Sequence, residues 1–581
     1  MNALAAKWGS VLDTMHLQIY PPAMALRTNP PSRISPTVSA AGLLLLAGLA
    51  GCGGGDNTKP IDDGLDSGEI STTVEVNDFE LTLRILLPLN QGNLFDDVAR
   101  LDVVILQDGA EVERTSLEAL QRGEVERAGE GLPSLDGAVV ALEGFDAEGA
   151  LNAFGESAPL YAEQGASEAS IFMARVDSFG WLYNLTTGSV GSALVADGQG
   201  DLLLFGGAPD GRPNERQTML GTPSVRRLDL NQTGGGLEFA TVGSMPTFME
   251  DPEHGRAGHT ATRMGGTHDD RDLILVAGGS TSLWDTTQVT DHAFLWDPSS
   301  DTVAHELTLS HPLNRHLAVA DAAGNVVLSG GTTSADTNNT YSAHRAIQFY
   351  NAATRSVTTL VVPSEESQWI HHGVAAFGER GVLLCGGFKF LGDNPDFEDL
   401  DGCAVVSTAG TYTPRAETGI ALPEARFHHG MIGLGDGRVL VAGGASYDDG
   451  AVTVSNLAWV LDPSDNSWTS VGPMHLGRAL HAMTLLPDGR VLVAGGVTSL
   501  AEHWWNGGAA VSCAEIFNPD LGDFVEVGSC TSGSGDGGLP TQVAIPAIAT
   551  EPTRGMAVVV GGLGTENEGS DGVSIYLSSP R

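Results

Sequence analysis

Short apolar runs that end in two glycines recur from residue 202 to the C-terminal end of the chain. One of them, VLVAGG at 491–496, is apolar at every position before the glycines. A run without a polar face predicts a strand buried on both sides, and the glycines predict positive φ or a close approach to another segment. The glycine pairs of seven such runs are Gly206-Gly207, Gly278-Gly279, Gly330-Gly331, Gly386-Gly387, Gly443-Gly444, Gly495-Gly496 and Gly561-Gly562.

Polar turns divide the sequence between these runs into further short strands. In the segment 459–496, the turns Asp462-Pro463 and Pro487-Asp488-Gly489 separate apolar or alternating stretches. Proline presets φ and glycine supplies a left-handed residue, so both favour tight turns. The spacing predicts units of four short antiparallel strands, each too small to bury its own faces. Because the unit recurs at intervals of 52 to 72 residues, the pattern predicts a seven-bladed β-propeller.

Two further markers repeat in register with the glycine pairs. A histidine precedes the pair in five units: His259, His316, His372, His429 and His481. An arginine stands three residues before three of them: Arg256, Arg426 and Arg478. Together with an aromatic residue in the last strand of a unit, these markers resemble kelch repeats from about Phe179 to the end of the chain. The resemblance implies that the blades pack against one another around a central shaft.

The last unit ends in its third strand, VSIYL at 573–577, and needs a fourth strand from elsewhere. An open sheet edge would pair with other chains, so we expect the ring to be closed by an earlier segment. Phe179 lies 13 residues before Ser192, and Trp468 lies 13 residues before His481. This shared offset predicts that 171–185 completes the last blade, with Phe179 or Trp181 as its aromatic residue.

Residues 1–51 are typical of a bacterial lipoprotein signal peptide. The apolar run at 40–50 has the length of a signal-peptide core and is too short to span a membrane as a mature helix. The following LAGC at 49–52 resembles a lipobox, which implies that Cys52 is the lipidated residue. The alternative is an ordinary secretory signal, which would also export the protein. Either Met1 or Met24 suits the start of translation.

The composition divides the rest of the chain into three parts. Residues 52–71 are glycine-rich and acidic with almost no apolar residues, which predicts a flexible tether. Residues 72–166 contain alternating segments such as ELTLRIL at 80–86 and no glycine pair of the repeat type, which predicts a small β-sandwich of immunoglobulin-like type. Residues 167–581 form the predicted propeller. The predicted fold class is therefore all-β.

The chain is strongly acidic, with 72 Asp and Glu residues against 29 Lys and Arg and a formal net charge of −43. An acidic surface repels phosphate backbones, so binding to nucleic acid is not expected. Such a surface attracts cations and basic partners. The simpler interpretation of the charge is solubility of an exported protein.

Four of the five cysteines fall into two pairs once Cys52 is set aside. Cys385 ends the second strand of its unit and Cys403 begins the third, so a bridge between adjacent strands is expected. Cys513 and Cys530 lie at the two open ends of a predicted hairpin centred on residues 520–521. Export permits disulfides, whereas free buried thiols are the alternative.

Motifs of known catalytic sites give no candidate catalytic residue. The sequence lacks Gly-x-Ser-x-Gly and the paired histidines of a zincin helix, and it has no Tyr-His dipeptide. Copper-radical oxidases resembling galactose oxidase share the kelch propeller, but they need a Tyr-Cys crosslink, and the cysteines here are better explained by pairing. The ring of kelch histidines could bind a transition metal, although hydrogen bonding to local backbone groups is the simpler interpretation.

One loop is rich in carboxylates. Four aspartates lie within ten residues of it: Asp393, Asp396, Asp399 and Asp401. Oxygen-rich loops suit Ca²⁺, but the spacing is not that of an EF-hand. A weak calcium site and a solvated acidic loop are the two interpretations, and no other cofactor is expected.

The connections between second and third strands vary most, and in a propeller they all emerge on one face, here called the loop face. Loops on a rigid scaffold are where binding residues concentrate. The exposed aromatic and basic candidates there are Trp284, Tyr341, Lys389, Tyr447, Trp504 and Trp505. Aromatic residues suit stacking on sugar rings or anchoring of a protein partner, although tryptophans that only fill gaps between loops are an alternative.

These features predict a lipid-anchored binding module of the bacterial cell envelope, attached at the outer membrane on its periplasmic or surface side. Its expected partner is a protein or glycan ligand bound at the loop face, and its contact with the membrane is through the lipid anchor alone. The alternative is a carbohydrate-active enzyme of kelch type, a mutarotase or oxidase, with its site in the shaft. The sequence favours binding over catalysis.

Overall fold

A computed structural model describes residues 69–76, 79–92, 94–117, 126–127, 137–160, 168–209, 220–230, 237–247, 255–266, 270–281, 288–332, 347–363, 366, 371–390, 397–448, 451–500, 509–530, 538–551, 554–564 and 568–578. They all belong to one compact unit. The predicted signal peptide, with Cys52, and the predicted tether up to residue 68 lie outside the described residues. None of the helices in the described ranges is long and apolar enough to cross a membrane.

The described residues before the propeller form two β-sheets. Their strands are β1 (Glu69–Val76), β2 (Phe79–Leu86), β3 (Arg100–Gln107), β4 (Ala110–Leu117), β5 (Glu126–Arg127), β6 (Val139–Phe145), β7 (Leu151–Glu156), β8 (Glu168–Phe172) and β9 (Ala174–Arg175). One sheet has the order β5-β1-β2-β8 and the other β4-β3-β6-β7-β9. Pairing is antiparallel except for β1 with β5 and β2 with β8, which are parallel. A 3₁₀ helix at Leu94–Asp96 lies between β2 and β3.

The two sheets pack face to face around a common apolar core. Ile85 and Ile171 of the first sheet are buried in one cluster with Val103, Leu142 and Ala153 of the second. Such a two-layer core is that of a β-sandwich.

The structure moves both predicted borders of this sandwich. Strand β1 begins at Glu69, inside the predicted tether of 52–71. Strands β8 and β9 follow the predicted border at 166, yet β8 pairs with β2 and β9 pairs with β7. The boundary at 167 is therefore corrected to the turn after Arg175, because residues 168–175 complete the sandwich sheets.

The propeller contains the remaining strands and one short helix. The strands are β10 (Ser178–Trp181), β11 (Ala193–Ala196), β12 (Leu202–Phe205), β13 (Ser224–Leu228), β14 (Phe239–Ser244), β15 (Thr260–Arg263), β16 (Ile274–Ala277), β17 (His292–Asp297), β18 (Thr302–Thr308), β19 (Leu317–Ala320), β20 (Val326–Ser329), β21 (Ile347–Asn351), β22 (Ser356–Leu360), β23 (Gly373–Ala376), β24 (Val382–Cys385), β25 (Phe388–Phe390), β26 (Phe397–Asp399), β27 (Cys403–Val406), β28 (Tyr412–Thr413), β29 (Gly430–Gly433), β30 (Val439–Ala442), β31 (Ala445–Asp448), β32 (Ala451–Val454), β33 (Ala458–Asp462), β34 (Ser467–Ser470), β35 (Ala482–Leu485), β36 (Val491–Ala494), β37 (Ala514–Asn518), β38 (Asp523–Val527), β39 (Ala547–Glu551), β40 (Met556–Val560) and β41 (Val573–Leu577). Helix α1 (Arg415–Thr418) follows β28, and a 3₁₀ helix at Gly378–Arg380 lies between β23 and β24.

The pairs β25–β26 and β31–β32 form two separate antiparallel hairpins, and the other strands form antiparallel sheets of four. Their orders are β11-β12-β13-β14, β15-β16-β17-β18, β19-β20-β21-β22, β23-β24-β27-β28, β29-β30-β33-β34, β35-β36-β37-β38 and β10-β41-β40-β39. We number them sheets one to seven in that order. The first strand of each sheet contacts the first strand of the next, and β39 contacts β11, so the first strands form a closed ring around a central channel. The predicted all-β class and the propeller architecture are confirmed.

The second strand of each sheet is buried along its whole length, including β40 of sheet seven. Strands β12, β16, β20, β24, β30 and β36 are buried at every residue. Apolar side chains on both faces therefore pack against neighbouring sheets, as the continuous apolar runs predict. One such contact is edge-to-face, with the ring centroids of Phe205 in sheet one and Trp296 in sheet two 5.8 Å apart.

All seven glycine pairs take positive φ, from 54° at Gly206 to 105° at Gly562. The backbone there also approaches the next sheet closely. A Cβ on Gly206 would lie 2.5 Å from the carbonyl oxygen of Arg256, and one on Gly443 would lie 2.4 Å from that of Arg478. A side chain is therefore excluded both by conformation and by space.

The ring is closed by a strand from the N-terminal side, as the spacing of Phe179 predicts. Strand β10 pairs with β41 in the register Phe179 to Tyr576. Phe179 is fully buried, with its ring centroid 5.6 Å from that of Tyr576. Asn90 of the sandwich covers the open edge of β10, since its Nδ2 donates to the Phe179 carbonyl at 3.0 Å and its Oδ1 accepts from the Trp181 amide at 2.8 Å.

Substitution of Phe179 by alanine tests this closure. Removal of a buried aromatic side chain leaves a cavity and costs about 3–5 kcal/mol of the free energy of unfolding. We expect Phe179→Ala to lower that free energy, measured by chemical denaturation, by this amount. The control is Val525→Ala, because Val525 lies on outer strand β38 and is 62% exposed. Equal effects of the two substitutions would contradict the closing role of β10.

Candidate functional site

The five kelch histidines pack against the glycine pairs of the preceding sheets. A Cβ on Gly206 would lie 2.9 Å from Cε1 of His259, and one on Gly443 would lie 3.0 Å from Cε1 of His481. Burial lowers the pKa of both histidines to about 3, so both rings are neutral. Two of the other kelch histidines form local hydrogen bonds. In one of these bonds, the Thr260 hydroxyl lies 2.9 Å from His316 Nε2. The structural interpretation of this histidine ring is favoured over a metal site.

The three kelch arginines are also structural. Each is fully or almost fully buried, and each donates from Nη1 to the carbonyl of the first glycine of its own sheet. The distances are 3.0 Å from Arg256 to Gly278, 2.6 Å from Arg426 to Gly443 and 3.0 Å from Arg478 to Gly495. These arginines hold the glycine pair in place. Their guanidinium groups are buried and therefore do not face a ligand.

A different set of seven residues surrounds the mouth of the channel. Each stands two positions before the first strand of its sheet, and each has a positive φ. We call this set the collar: Gly191, Gly258, Arg315, His371, His428, Leu480 and Ile545. Since the first strands form the inner ring, the collar lies where those strands begin, which is the end of the channel at the loop face.

Backbone hydrogen bonds connect collar residues of adjacent sheets. The amide of Gly258 donates to the carbonyl of Gly191 at 2.8 Å, and that of Arg315 donates to Gly258 at 2.7 Å. The same bond runs from His428 to His371, from Leu480 to His428 and from Ile545 to Leu480, at 2.8–3.1 Å. Five collar residues donate such a bond, and all seven share a positive φ. The collar is thus a fixed frame with a variable side chain at each position.

A cavity of about 390 Å³ lies inside the collar. Its wall combines collar side chains with residues of the inner strands, such as Leu317 on β19 and Met431 on β29, and with loop-face residues such as Leu500. Among the described residues that line the cavity, every titratable side chain is an arginine or a histidine. Cavities of this size that combine apolar walls with a few polar groups are typical of ligand sites.

Three collar residues of consecutive sheets form the polar side of this cavity. The imidazole rings of His371 and His428 have their centroids 4.1 Å apart, and the first also lies 5.5 Å from the ring of Phe388. Desolvation lowers the pKa of His371 well below its usual value, with His428 and Arg315 acting in the same direction, and the residue itself is exposed at the cavity. The pKa of His428 is lowered to about 3, first by burial and then by the Arg315 charge. At neutral pH the cavity therefore presents one guanidinium beside two neutral imidazoles.

Two of the six predicted loop-face residues are described, and they lie on neighbouring hairpins. Lys389 is on β25, where its Nζ lies 2.8 Å from Glu398 Oε2. Tyr447 is 39% exposed on β31, and its amide donates to the carboxylate of Asp399. The hairpin β25–β26 contacts β31, and Phe388 at its base reaches His371 of the collar. Trp284, Tyr341, Trp504 and Trp505 lie outside the described residues, so their roles stay predictions.

The predicted calcium loop is described only in part. Asp393 and Asp396 lie outside the described residues. Burial raises the pKa of Asp399 to about 6, opposed by the hydrogen bond from the Tyr447 amide. No group of three or more His, Cys, Asp or Glu that could hold a metal occurs within the described ranges. The weak calcium site, which includes Asp401, stays a prediction.

Both predicted cysteine pairs are at bonding distance. Cys385 and Cys403 are direct partners of adjacent strands, with Cα atoms 4.1 Å apart. Cys513 and Cys530 join the start of β37 to the end of the β38 hairpin, with Cα atoms 5.1 Å apart. Each bond lies within one sheet.

Arg315, His371 and His428 were not among the site residues predicted from the sequence. The residue types at the collar differ between sheets, so a search for repeats passes over it. One signal was available, because the collar residue always immediately precedes the position of the kelch histidine. Aligning the units on that histidine would have shown a column with Gly, Arg, His and Leu.

Comparison with known proteins gave a family match for one segment and an alignment with a solved structure. Residues 425–475, which contain β29 to β34, match the Kelch motif family. A solved structure titled "Structure of YjhT" aligns over 59% of this chain and 99% of that chain, with 13% identity and a TM-score of 0.39. A search of curated proteins found no match. The sheet within the matched segment has the same four-stranded antiparallel arrangement as the other sheets of the propeller.

The structural role of the kelch arginines can be tested at Arg478. Its Nη2 lies 2.7 Å from Oε1 of Glu515, and both side chains are fully buried. Replacement of Arg478 by methionine leaves the buried carboxylate with His475 and the Leu476 amide but without its guanidinium, which costs about 3–5 kcal/mol of the free energy of unfolding. We expect this loss in chemical denaturation, and a smaller one when Glu515→Leu is added.

The control is Arg438→Met, since Arg438 pairs with the exposed Asp436 in a surface turn. A surface pair contributes at most about 1 kcal/mol. Similar losses for Arg478→Met and Arg438→Met would show that the buried arginine does not stabilise the blade.

Proposed function

We propose that the protein is a binding module that holds a protein or glycan ligand at its loop face, with one group of the ligand inserted into the collar cavity. The cavity of about 390 Å³ at the mouth of the channel carries this proposal. It is concave, mostly apolar and equipped with a few converging polar groups, which is the usual character of a ligand site. The surrounding hairpins enlarge the surface that a macromolecular ligand can contact.

The loop-face residues extend the proposed site beyond the cavity. Lys389 and Tyr447 project from neighbouring hairpins, and Phe388 connects the first hairpin to His371. The predicted contributions of Trp284, Tyr341, Trp504 and Trp505 belong to the same surface. Aromatic anchors in such positions supply much of the affinity of protein and sugar interfaces.

Binding is favoured over catalysis by the state of the imidazoles. A general base works best when its pKa lies near the working pH. The pKa of His428 is lowered to about 3, so its ring is a weak base. The alternative, a carbohydrate-active enzyme with its site in the shaft, is supported by the position of the cavity, and turnover of sugars by purified protein would favour it.

We also propose that the protein is exported and lipid-anchored in the bacterial envelope. LAGC at 49–52 supports the anchor, and the two cysteine pairs at bonding distance support an oxidising compartment. More than one acyl chain gives stable attachment, whereas a single chain gives only reversible binding.

The anchor is tested by metabolic labelling with radioactive palmitate. We expect the wild-type protein to carry the label and to sediment with membranes. We expect Cys52→Ala to carry no label, because the acylated thiol is removed. Gly55→Ala is the control and should be labelled like the wild type. An unlabelled wild-type protein would show that the leader is an ordinary secretory signal.

The binding site is tested by filling the cavity. Leu317 lines the cavity from β19 and is 38% exposed, so a tryptophan there enters open space. We expect Leu317→Trp to weaken binding to ligands found on glycan and peptide arrays by about 10-fold or more, since the inserted group loses its space. Solution affinities measured by calorimetry provide the comparison.

Leu521→Trp is the matched control, because Leu521 is 76% exposed in the outer turn before β38. It should bind like the wild type. A double variant Trp504→Ala and Trp505→Ala tests the outer part of the loop face. Unchanged binding in both the cavity variant and the double variant would place the site elsewhere and overturn the proposal.

A further inference from the structure

The two cysteine pairs of the propeller differ in what surrounds their sulfur atoms. Cys385 and Cys403, the sheet-four pair, are both fully buried in an apolar cluster between sheets four and five. In the sheet-six pair, Cys513 is also buried, but Cys530 is only half-buried. A cysteine in apolar surroundings is inert, whereas a reactive cysteine is partly exposed and lies near positive charge. The sheet-six pair therefore meets the first condition for thiol–disulfide exchange.

A buried guanidinium lies against both sulfur atoms of the sheet-six pair. Nη2 of Arg478 is 3.3 Å from Sγ of Cys513 and 3.5 Å from Sγ of Cys530. The arginine is held in this position because its Nη1 donates to the carbonyls of Gly495 and Cys513, at 3.0 and 3.2 Å. A neighbouring arginine stabilises a thiolate. Reduction of this pair therefore produces a thiolate beside a fixed positive charge.

The carboxylate of Glu515 shares this guanidinium without removing it from the sulfur atoms. Oε1 of Glu515 lies 2.7 Å from Nη2 of Arg478. Oε2 accepts from the amide of His475 at 2.7 Å and lies 3.1 Å from the imidazole Nδ1 of the same residue. The negative charge is thus divided between the arginine and His475, while Nη2 keeps its contacts with both cysteines.

The length of chain between the cysteines does not distinguish the two pairs. The separations are 18 residues for the sheet-four pair and 17 for the sheet-six pair. Loop-closure entropy depends on this length, so both bonds constrain the unfolded chain almost equally. A difference in their reduction must therefore come from the folded surroundings of the sulfur atoms. This makes the sheet-four pair an internal control.

We propose that Cys513–Cys530 is a redox-active disulfide that exchanges with a dithiol, and that Cys385–Cys403 is a structural bond. The co-reactant is the dithiol, which the disulfide oxidises. This activity does not depend on the proposed binding of a ligand at the loop face.

Exchange begins at Cys530, because it is the more accessible sulfur of the pair. A thiolate of the dithiol attacks Sγ of Cys530, so that a mixed disulfide forms and the bond to Cys513 breaks. Cys513 leaves as a thiolate stabilised by Nη2 of Arg478, and a stabilised thiolate is the better leaving group. The carbonyl of Ala514, 4.0 Å from Sγ of Cys530, is an acceptor for the thiol that forms there in the next step.

The second thiol of the dithiol completes the exchange. As its thiolate it attacks the dithiol sulfur of the mixed disulfide, which closes a disulfide in the dithiol and releases Cys530. The dithiol loses two electrons and the protein disulfide gains them. Of the two protons of the dithiol, one goes to Cys530 and the other to solvent, and Cys513 stays a thiolate.

Reduction of the folded wild-type chain tests the proposal without any substitution. The protein in detergent is treated with dithiothreitol for increasing times, alkylated, and analysed by mass spectrometry of its cysteine peptides. We expect the sheet-six pair to be reduced about 10-fold or more faster than the sheet-four pair, because of its accessible sulfur and stabilised leaving group. In concentrated urea the two pairs should be reduced at similar rates. Equal rates in the folded protein, or faster reduction of the sheet-four pair, would overturn the proposal.

The role of Arg478 in positioning the charge is tested in the double variant Arg478→Met and Glu515→Leu, which removes the guanidinium together with its buried partner. We expect reduction of the sheet-six pair to slow by about 10-fold, and that of the sheet-four pair to stay as in the wild type. Arg438→Met, in a surface turn, is the control and should change neither rate. Circular dichroism checks that the double variant is folded. An unchanged rate in the folded double variant would contradict stabilisation of the leaving thiolate by Arg478.

Two matched variants show which sulfur is attacked. Cys513→Ser leaves Cys530 as a single thiol, and Cys530→Ser leaves Cys513, so both variants lose the same bond. With glutathione disulfide as the probe, we expect Cys530 to form a mixed disulfide about 10-fold or more faster, since Cys513 is only 3% exposed. The opposite order would contradict attack at Cys530. No reaction in either variant would reject exchange at this pair.

Discussion

The architecture depends on one recurring hydrogen bond between neighbouring sheets. In sheets one, two, four, five, six and seven, the amide of the second glycine donates to a carbonyl of the next sheet, at 2.7–3.0 Å. Gly207 bonds to Arg256 in this way, and Gly562 bonds to Ser189, which connects the last sheet to the first. The bond requires positive φ at two consecutive residues and a separation that leaves no room for a Cβ. Glycine alone meets both conditions, which is why the pair is the most constant feature of the sequence.

The other kelch markers serve the same junction. Arg256, Arg426 and Arg478 accept this hydrogen bond with their carbonyls and donate with their side chains to the first glycine of their own sheets. The kelch histidines fill the space beside the first glycine of the preceding sheet. The residues that recur between units are therefore those that join the units. A ligand that lacks the symmetry of the ring must be recognised by residues that differ between the units.

This division explains how far the sequence could predict the molecule. The strand class, the cysteine pairs and the closing role of Phe179 follow from periodic spacing, and spacing is preserved because each sheet must fit its neighbours. The border at 166 was wrong because β8 joins the sandwich sheet by parallel pairing with β2, a contact between distant segments that no local pattern encodes. The cavity was not predicted either, since Arg315, His371 and His428 are separated by more than 50 residues and meet only when the ring closes. The residue types at the collar differ between sheets and therefore carry no repeat signal.

The backbone of the collar gives a physical reason why these side chains matter. Residues other than glycine at positive φ cost roughly 1–3 kcal/mol each, and the cost is greatest for a β-branched residue. Five collar residues bear it, including Ile545 with a φ of 45°, although Gly191 and Gly258 show that the same frame accepts glycine. Glycine at all seven positions would relieve this strain, but it would leave the channel mouth without a wall. Backbone strain that is kept although glycine would relieve it is typical of functional sites. The side chains of the collar are thus better explained by what they contact inside the channel than by the stability of the fold.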